Sequence, residues 1–209
     1  MSDLFGSIDA ELNSPFTIPL ADRLRPKSFD EISGQEHLTS PSGPLRLIGK
    51  NQVMSAIIFW GPPGVGKTTL ARILPTQLNQ TIFHEISAVS SCTSDLKNIF
   101  KLAKESRLTG KNFLLFVDEI HYFNKMQQDM FLPIIENGTL SLIGATSQNP
   151  SFQLNAALLS RSLVFEVRKL TDIALEEIIK RAEKVSQKSL PLDKKCRNAL
   201  IEKSGGDAR

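Results

Sequence analysis

The sequence predicts an α/β fold: a parallel five-stranded sheet sandwiched by helices, with a phosphate-binding loop at its carboxyl edge. Three observations predict it. Strand-like segments at 56–60, 81–86, 113–117, 140–145 and 163–167 alternate with helix-period segments near 67–74, 94–106, 126–136 and 154–160. The first run, Ala56-Ile57-Ile58-Phe59-Trp60, leads into Gly61-Pro62-Pro63-Gly64-Val65-Gly66-Lys67-Thr68, which fits G-x-x-x-x-G-K-[ST] at every fixed position. The third run, Phe113-Leu114-Leu115-Phe116-Val117, ends in the acidic pair Asp118-Glu119. In open parallel sheets the ligand sites lie beyond the carboxyl ends of the strands, which is where Lys67, Asp118 and Glu119 fall.

Along the chain, residues 1–19 hold Asn13, Ser14, Pro15 and Pro19 among scattered apolars and read as a flexible arm. Residues 20–55 are rich in Pro, Gly and Ser, with helical patches at Gln35–Leu38 and Leu45–Lys50. The α/β nucleotide-binding domain is expected over 20–169. Pro75 lies within the helix that follows the phosphate loop, so that helix should end or kink near Leu74. After Leu170 the character becomes helical. An amphipathic helix is expected over Asp172–Lys188, with Thr171 as its N-cap, and a second over Asp193–Lys203, ending at Gly205-Gly206. Residues 170–209 thus read as the start of a small helical domain that stops before it could close a core of its own.

The motifs specify chemistry as well as fold. Glycines let a backbone curl around phosphate with its N–H groups pointing inward, and a helix starting near Lys67 favours negative charge at its N-terminus. Lys67 then reaches the β- and γ-phosphates of a nucleoside triphosphate, and the Thr68 hydroxyl ligates Mg²⁺. The loop Gly61, Pro62, Pro63, Gly64, Val65, Gly66, Lys67 and Thr68, with Thr69 behind it, is the expected ATP-binding segment. An apolar strand ending in acids is by itself an ordinary core strand. With the phosphate loop upstream, Asp118 is assigned to the metal and Glu119 to orienting the attacking water.

Bulk properties set bounds. The 209 residues suffice for one sizeable core and a small appendage. A hydrophobic content of 41% and a charged content of 22% are ordinary for a soluble globular domain. The formal net charge of +3 argues neither for nor against nucleic acid. Cys92 and Cys196 form no metal or redox pattern, so a reducing cytoplasm is the expected compartment. No apolar stretch approaches the ~20 residues needed to cross a bilayer, and no membrane partner is expected.

Further residues carry a family resemblance. Pro19-Leu20-Ala21-Asp22-Arg23-Leu24-Arg25-Pro26, followed by Ile32-Ser33-Gly34-Gln35-Glu36-His37-Leu38, resembles the segment that packs around adenine in clamp-loader-type AAA+ ATPases. More diagnostic are Phe116 to His121, Phe123-Asn124-Lys125, Ile143-Gly144-Ala145-Thr146, Asn149-Pro150-Ser151-Phe152 and Ala157-Leu158-Leu159-Ser160-Arg161. Over residues 19–209 the chain resembles the replication-associated recombination protein A and Werner-helicase-interacting family within that clade. The resemblance implies an AAA+ sheet followed by an incomplete helical lid. It implies Thr146 as the sensor near the γ-phosphate and Arg161 as a finger entering the neighbouring subunit's ATP site. It implies Arg209 as a phosphate contact from the lid, frayed at the chain end. Ser87 occupies the position that holds the catalytic Glu until a partner binds. Tyr122 departs from the basic residue usual there, which could weaken a DNA or subunit contact.

The activity implied is a DNA-dependent ATPase acting in replication-fork maintenance and recombination or repair. Its cofactors are ATP and Mg²⁺. Its partners are forked or junction DNA, further copies of itself through Arg161, and a single-strand-binding protein. Its location is cytoplasmic and nucleoid-associated. Family members are about twice as long, so the alternative is a truncated, non-catalytic ATP-binding module that caps or regulates assemblies of a full-length relative.

Overall fold

The computed structural model describes residues 19–51, 54–187 and 189–209. The expected arm at 1–19 lies outside the described residues apart from Pro19. Three apolar runs become largely buried strands, β1 (Ala56–Trp60), β3 (Asn112–Asp118) and β4 (Ser141–Thr146), while β2 (Thr81–Ser87) and the shorter β5 (Leu163–Glu166) form the partly exposed edges. They pair in parallel in the order β2-β3-β4-β1-β5. The central strands read as continuous apolar runs because helices cover both of their faces.

The alternation of side chains divides the core in two. Ile58, Leu115, Val117 and Leu142 point to one face, where they pack with Leu96, Phe100, Phe131 and Leu158. Ile57, Phe59, Leu114, Phe116 and Ile143 point to the other, against Leu45, Leu70, Leu74 and Phe29. Burying a Leu, Ile or Phe side chain contributes about 1.5–3 kcal/mol, so these two layers supply most of the driving force for the sheet.

The helices, in chain order, are α1 (Leu20–Arg23), α2 (Glu36–Thr39), α3 (Pro44–Asn51), α4 (Lys67–Ile73), α5 (Thr93–Leu108), α6 (Lys125–Asp129), α7 (Leu132–Glu136), α8 (Pro150–Gln153), α9 (Ala156–Leu159), α10 (Asp172–Ser186) and α11 (Lys194–Ser204). As expected from Pro75, α4 stops at Ile73 and gives way to a 3-10 turn over Leu74–Gln77. Two expected helices depart from their expected bounds. The 126–136 segment breaks after Asp129, because Pro133 has no N–H to donate to the Asp129 carbonyl one turn earlier. The helix expected over 154–160 starts only at Ala156, because Leu154 and Asn155 are extended and the Asn155 side chain caps α9 by accepting from Leu158 N at 2.7 Å.

Thr171 caps α10 by accepting from Ala174 N at 3.3 Å, and Asp193 caps α11 by accepting from Cys196 N at 2.7 Å. Gly205, with φ 59°, ends α11. Leu170, Ala174, Leu175 and Ile201 form a third, small apolar cluster between these helices. No helix among the described residues is long and apolar enough to cross a membrane.

Candidate active site

Parallel register places the site. Trp60 pairs with Thr146, and Ser87 with Asp118, so the ends of β1 to β4 present the phosphate loop, the acidic pair and Thr146 along one edge. A cleft of about 560 Å³ opens there. Its floor is the loop from Pro63 to Thr69 with Asp118 and Glu119. One wall is the segment from Ala21 to Gln35, and the other is Leu170, Ile178, Arg181, Ala208 and Arg209.

Gly66 has φ 105° and hands the chain into α4 at Lys67. A Cβ at Gly66 would meet nothing, so glycine is required there by backbone conformation rather than by space. Lys67 is buried, and its Nζ donates to the Gly61 and Pro62 carbonyls, both at 2.7 Å. Burial lowers its pKa, against the opposing pull of Glu119 and then Asp118. Asp118 is shifted the other way. Burial raises its carboxyl pKa, and the neighbouring Glu119 charge raises it further. Asp118 Oδ1 accepts from Glu119 N at 3.1 Å. A desolvated Asp118 carboxyl and the partly exposed Glu119 carboxylate facing the desolvated Lys67 ammonium make a site suited to a polyanion chelating a divalent cation.

Among the described residues, no cluster of three or more His, Cys, Asp or Glu could hold a metal. The donors present, the Thr68 hydroxyl and the Asp118 carboxylate, fit Mg²⁺, which is commonly bound through one or two carboxylates together with substrate phosphates.

The expected site residues do not all meet in the cleft. Gly61 and Pro62 lie beneath it and serve Lys67 through their carbonyls. Thr146 is fully buried behind Glu119, its hydroxyl 2.9 Å from His121 Nδ1. Arg161, after α9, lies outside the cleft. It pairs with Glu136 at 2.5 Å and donates to the Ala157 carbonyl at 2.9 Å. Arg209 lines the cleft and is held by its own N–H, which donates to Asp207 Oδ1 at 2.7 Å.

Ser87 is a correction. Its hydroxyl accepts from Val89 N at 3.4 Å, while the Glu119 carboxylate is held by Ser147. The cause is backbone geometry. Glu119 leaves β3 in the left-handed region, φ 50° and ψ 48°, which turns its side chain towards the end of β4 and away from β2.

Other residues at the site had no role in the motif reading. Gln35 is buried, and its Nε2 donates to the Val65 carbonyl at 3.3 Å and the Arg168 carbonyl at 2.7 Å. Its Oε1 accepts from Arg168 N at 3.1 Å. It thereby ties the segment before the sheet to the phosphate loop and to the exit from β5. Arg25 donates to Thr69 Oγ1 at 3.3 Å and to Asp22 at 2.8 Å. The second bond lowers the Asp22 pKa. Arg181, on α10, donates to the Glu31 carbonyl across the cleft mouth. Asp207 lies against Gly64, and Ala208 N donates to the Gly64 carbonyl at 3.2 Å. Gln35, Arg25 and Asp22 carried a sequence signal as part of the stretch resembling an adenine-packing segment, and Asp207 and Ala208 as neighbours of Arg209.

A family model for ATPases associated with various cellular activities matches residues 57–170, more than half of the chain. The chain belongs to the AAA ATPase family. This AAA chain is 43% identical over 196 residues to the replication-associated recombination protein A of Haemophilus influenzae, covering 91% of this chain and 44% of that protein. It is 40% identical to the protein of the same name from Escherichia coli, with the same coverage. ATPase WRNIP1 of Dictyostelium discoideum is 42% identical, over 91% of this chain and 22% of its own length. The chain thus spans less than half the length of these relatives. Among solved structures, the RuvB Holliday junction branch migration motor of Thermotoga maritima superposes with a TM-score of 0.72 at 30% identity, covering 89% of this chain and 62% of that one. The resemblance first carried by a few motifs therefore extends over nearly the whole AAA chain.

Proposed function

We propose that the chain is a DNA-dependent ATPase of the clamp-loader AAA+ class, acting in replication-fork maintenance and in recombination and repair. The observation that carries this reading is the meeting of Lys67, Thr68, Asp118 and Glu119 on the floor of one cleft. The names of the relatives support the replication and recombination setting.

Each residue has a role its surroundings favour. The ammonium of Lys67, already drawn out of water, exchanges two carbonyl partners for phosphate oxygens. The backbone from Gly64 to Thr69 offers N–H groups to the same phosphates, and Arg209 approaches them from the opposite wall. Mg²⁺, when bound through Thr68 and Asp118, neutralises charge on the phosphate oxygens. Glu119 holds and polarises the attacking water. Thr146 reports on the γ-phosphate from behind. Arg161, exposed and away from its own cleft, acts on the cleft of an adjoining copy, so the working site is completed only on assembly. DNA at a fork or single-strand/double-strand junction, and a single-strand-binding protein, are the partners proposed, in a cytoplasmic, nucleoid-associated setting.

The test is ATP hydrolysis by the purified chain with and without forked DNA, across protein concentrations, beside Lys67→Ala. Turnover that rises with DNA and with concentration, and vanishes in the variant, supports the reading. Tight nucleotide binding without turnover under any of these conditions would instead favour a non-catalytic binding module.

A further inference from the structure

His121 is the residue of the acidic-pair segment that the proposed function leaves unused, and its surroundings are unusually specific. Its side chain is 6% exposed. Its ring packs on Tyr122 with centroids 4.5 Å apart. Its Nδ1 faces two oxygens at once: Thr146 Oγ1 at 2.9 Å and Glu119 Oε2 at 3.2 Å. The same Glu119 oxygen accepts from Ser147 N at 3.2 Å and from Ser147 Oγ at 3.1 Å. One carboxylate oxygen is therefore gripped from three directions. Among the described residues the other oxygen, Oε1, has no protein donor and is left for the cleft.

The proton positions follow from counting donors. An ionised carboxylate only accepts. The Thr146 hydroxyl accepts from Gln148 N at 3.1 Å and donates its one hydrogen to the Gln148 carbonyl at 3.2 Å. The Glu119 oxygen facing Nδ1 can only accept, which assigns the hydrogen to Nδ1, and the Thr146 oxygen at 2.9 Å shares it. A single N–H thus joins the proposed phosphate-sensing hydroxyl to the proposed water-orienting carboxylate.

We propose that His121 and Ser147 are positioning residues for Glu119: Ser147 anchors Oε2, and the His121 Nδ1–H makes the hold on that oxygen depend on the state of Thr146. The inference rests on the reading of Glu119 as the residue that orients water. A Glu on a left-handed backbone at a strand end has several rotamers open to it. Fixing Oε2 by three donors aims Oε1 into the cleft ahead of substrate, which is the preorganisation that water activation needs.

The test combines kinetics with a readout that needs no turnover. His121→Ala and Ser147→Ala should lower kcat for ATP by about 10- to 100-fold, with the dissociation constant for a fluorescent ATP analogue within about 3-fold of the parent. His121→Asn should recover most of the loss, because its Nδ2–H can donate from near the Nδ1 position. An unchanged kcat in His121→Ala, or an equal loss in the Asn and Ala variants, overturns the proposal. Nitrogen NMR of ¹⁵N-histidine-labelled chain, with the His121 signal assigned by its absence in His121→Ala, should show a ring protonated at Nδ1. A ring unprotonated at Nδ1 overturns the proposal whether or not the chain turns over. A chain that binds nucleotide but never hydrolyses it refutes the ATPase reading, while the ring signal still decides whether His121 holds Glu119.

Discussion

Gly64→Ala is the substitution whose consequence can be worked out most fully. Gly64 has φ 70°, and a Cβ built on it would lie 1.7 Å from Asp207 Oδ1. Two costs follow. A side chain in the left-handed region costs about 1–2 kcal/mol whatever surrounds it. The new methyl must also push the Asp207 carboxylate back by roughly 1.7 Å to reach ordinary contact, which breaks the bond that Arg209 N donates to Asp207 Oδ1 at 2.7 Å. A lost hydrogen bond of this kind costs about 1 kcal/mol.

The sum of about 2–3 kcal/mol corresponds to a fall in Tm of about 5–10 °C for a chain of this size. Gly66→Ala is the control, because its Cβ meets nothing and only the backbone cost applies. It should lower Tm by about half as much and leave amide exchange at Arg209 unchanged, whereas Gly64→Ala should speed that exchange. Adding Asp207→Ala to Gly64→Ala should recover the steric share, a coupling of about 1 kcal/mol in a double-mutant cycle. Equal effects of the two glycine substitutions, with no coupling to Asp207, would falsify the packing of Asp207 on the phosphate loop.

Three further outcomes are expected. Because burial raises the Asp118 pKa above its ordinary 3.8, the folded chain holds that proton more tightly than the unfolded chain, and stability falls as pH rises through the folded value. Asp118→Asn should therefore raise Tm near pH 7 while abolishing Mg²⁺-dependent turnover; calorimetry over pH 3–8 (a range of about five units) checks the sign. Arg161→Ala removes exposed contacts, the pair with Glu136 and bonds to the Ala157 carbonyl and Ser160 Oγ, so stability should change by less than about 1 kcal/mol, while turnover in an assembly falls by about 10³ or more. Mixing Arg161→Ala with Lys67→Ala subunits should restore part of that turnover, and no restoration would argue against action in trans. Thr171→Ala should cost about 1 kcal/mol through loss of the cap on Ala174 N, seen as faster amide exchange in the first turn of α10 with β1 to β4 unaffected.

The parts of this fold that could be read in advance are those fixed by local pattern. The five expected strands formed within one residue of their expected ends; for β1, β3 and β4 this is because buried parallel strands require unbroken apolar sequence. Pro75 ended its helix by the chemistry of one residue. The split of 126–136 was harder to see. Met130 and Phe131 keep helical dihedrals, so the apolar period runs through the break while the hydrogen-bond ladder does not. At the site, the loop residues and the acidic pair were legible because their chemistry is sequence-local. The hold on Glu119 was not. It depends on a residue 28 positions away and on a left-handed dihedral that no pattern announces at a Glu, and so the expectation for Ser87 failed. Asp207 against Gly64 was hidden for the same reason, since only the folded chain brings those residues together.

The order β2-β3-β4-β1-β5 carries a consequence for how the chain comes into being. The strand that delivers the phosphate loop is made first and partnered last. β1 ends at Trp60, yet its two neighbours in the sheet, β4 and β5, begin at Ser141 and Leu163. During synthesis β2 and β3 can pair with each other as soon as Asp118 has emerged, while Ala56–Trp60 waits as an apolar segment with both edges open. At about 5–20 residues per second, that wait lasts several seconds, which is the interval in which such a segment is open to aggregation or to a chaperone. The nucleotide cleft is thus a late product of folding, and slowing of translation between β3 and β4 lengthens the exposure of the very strand on which the cleft is built.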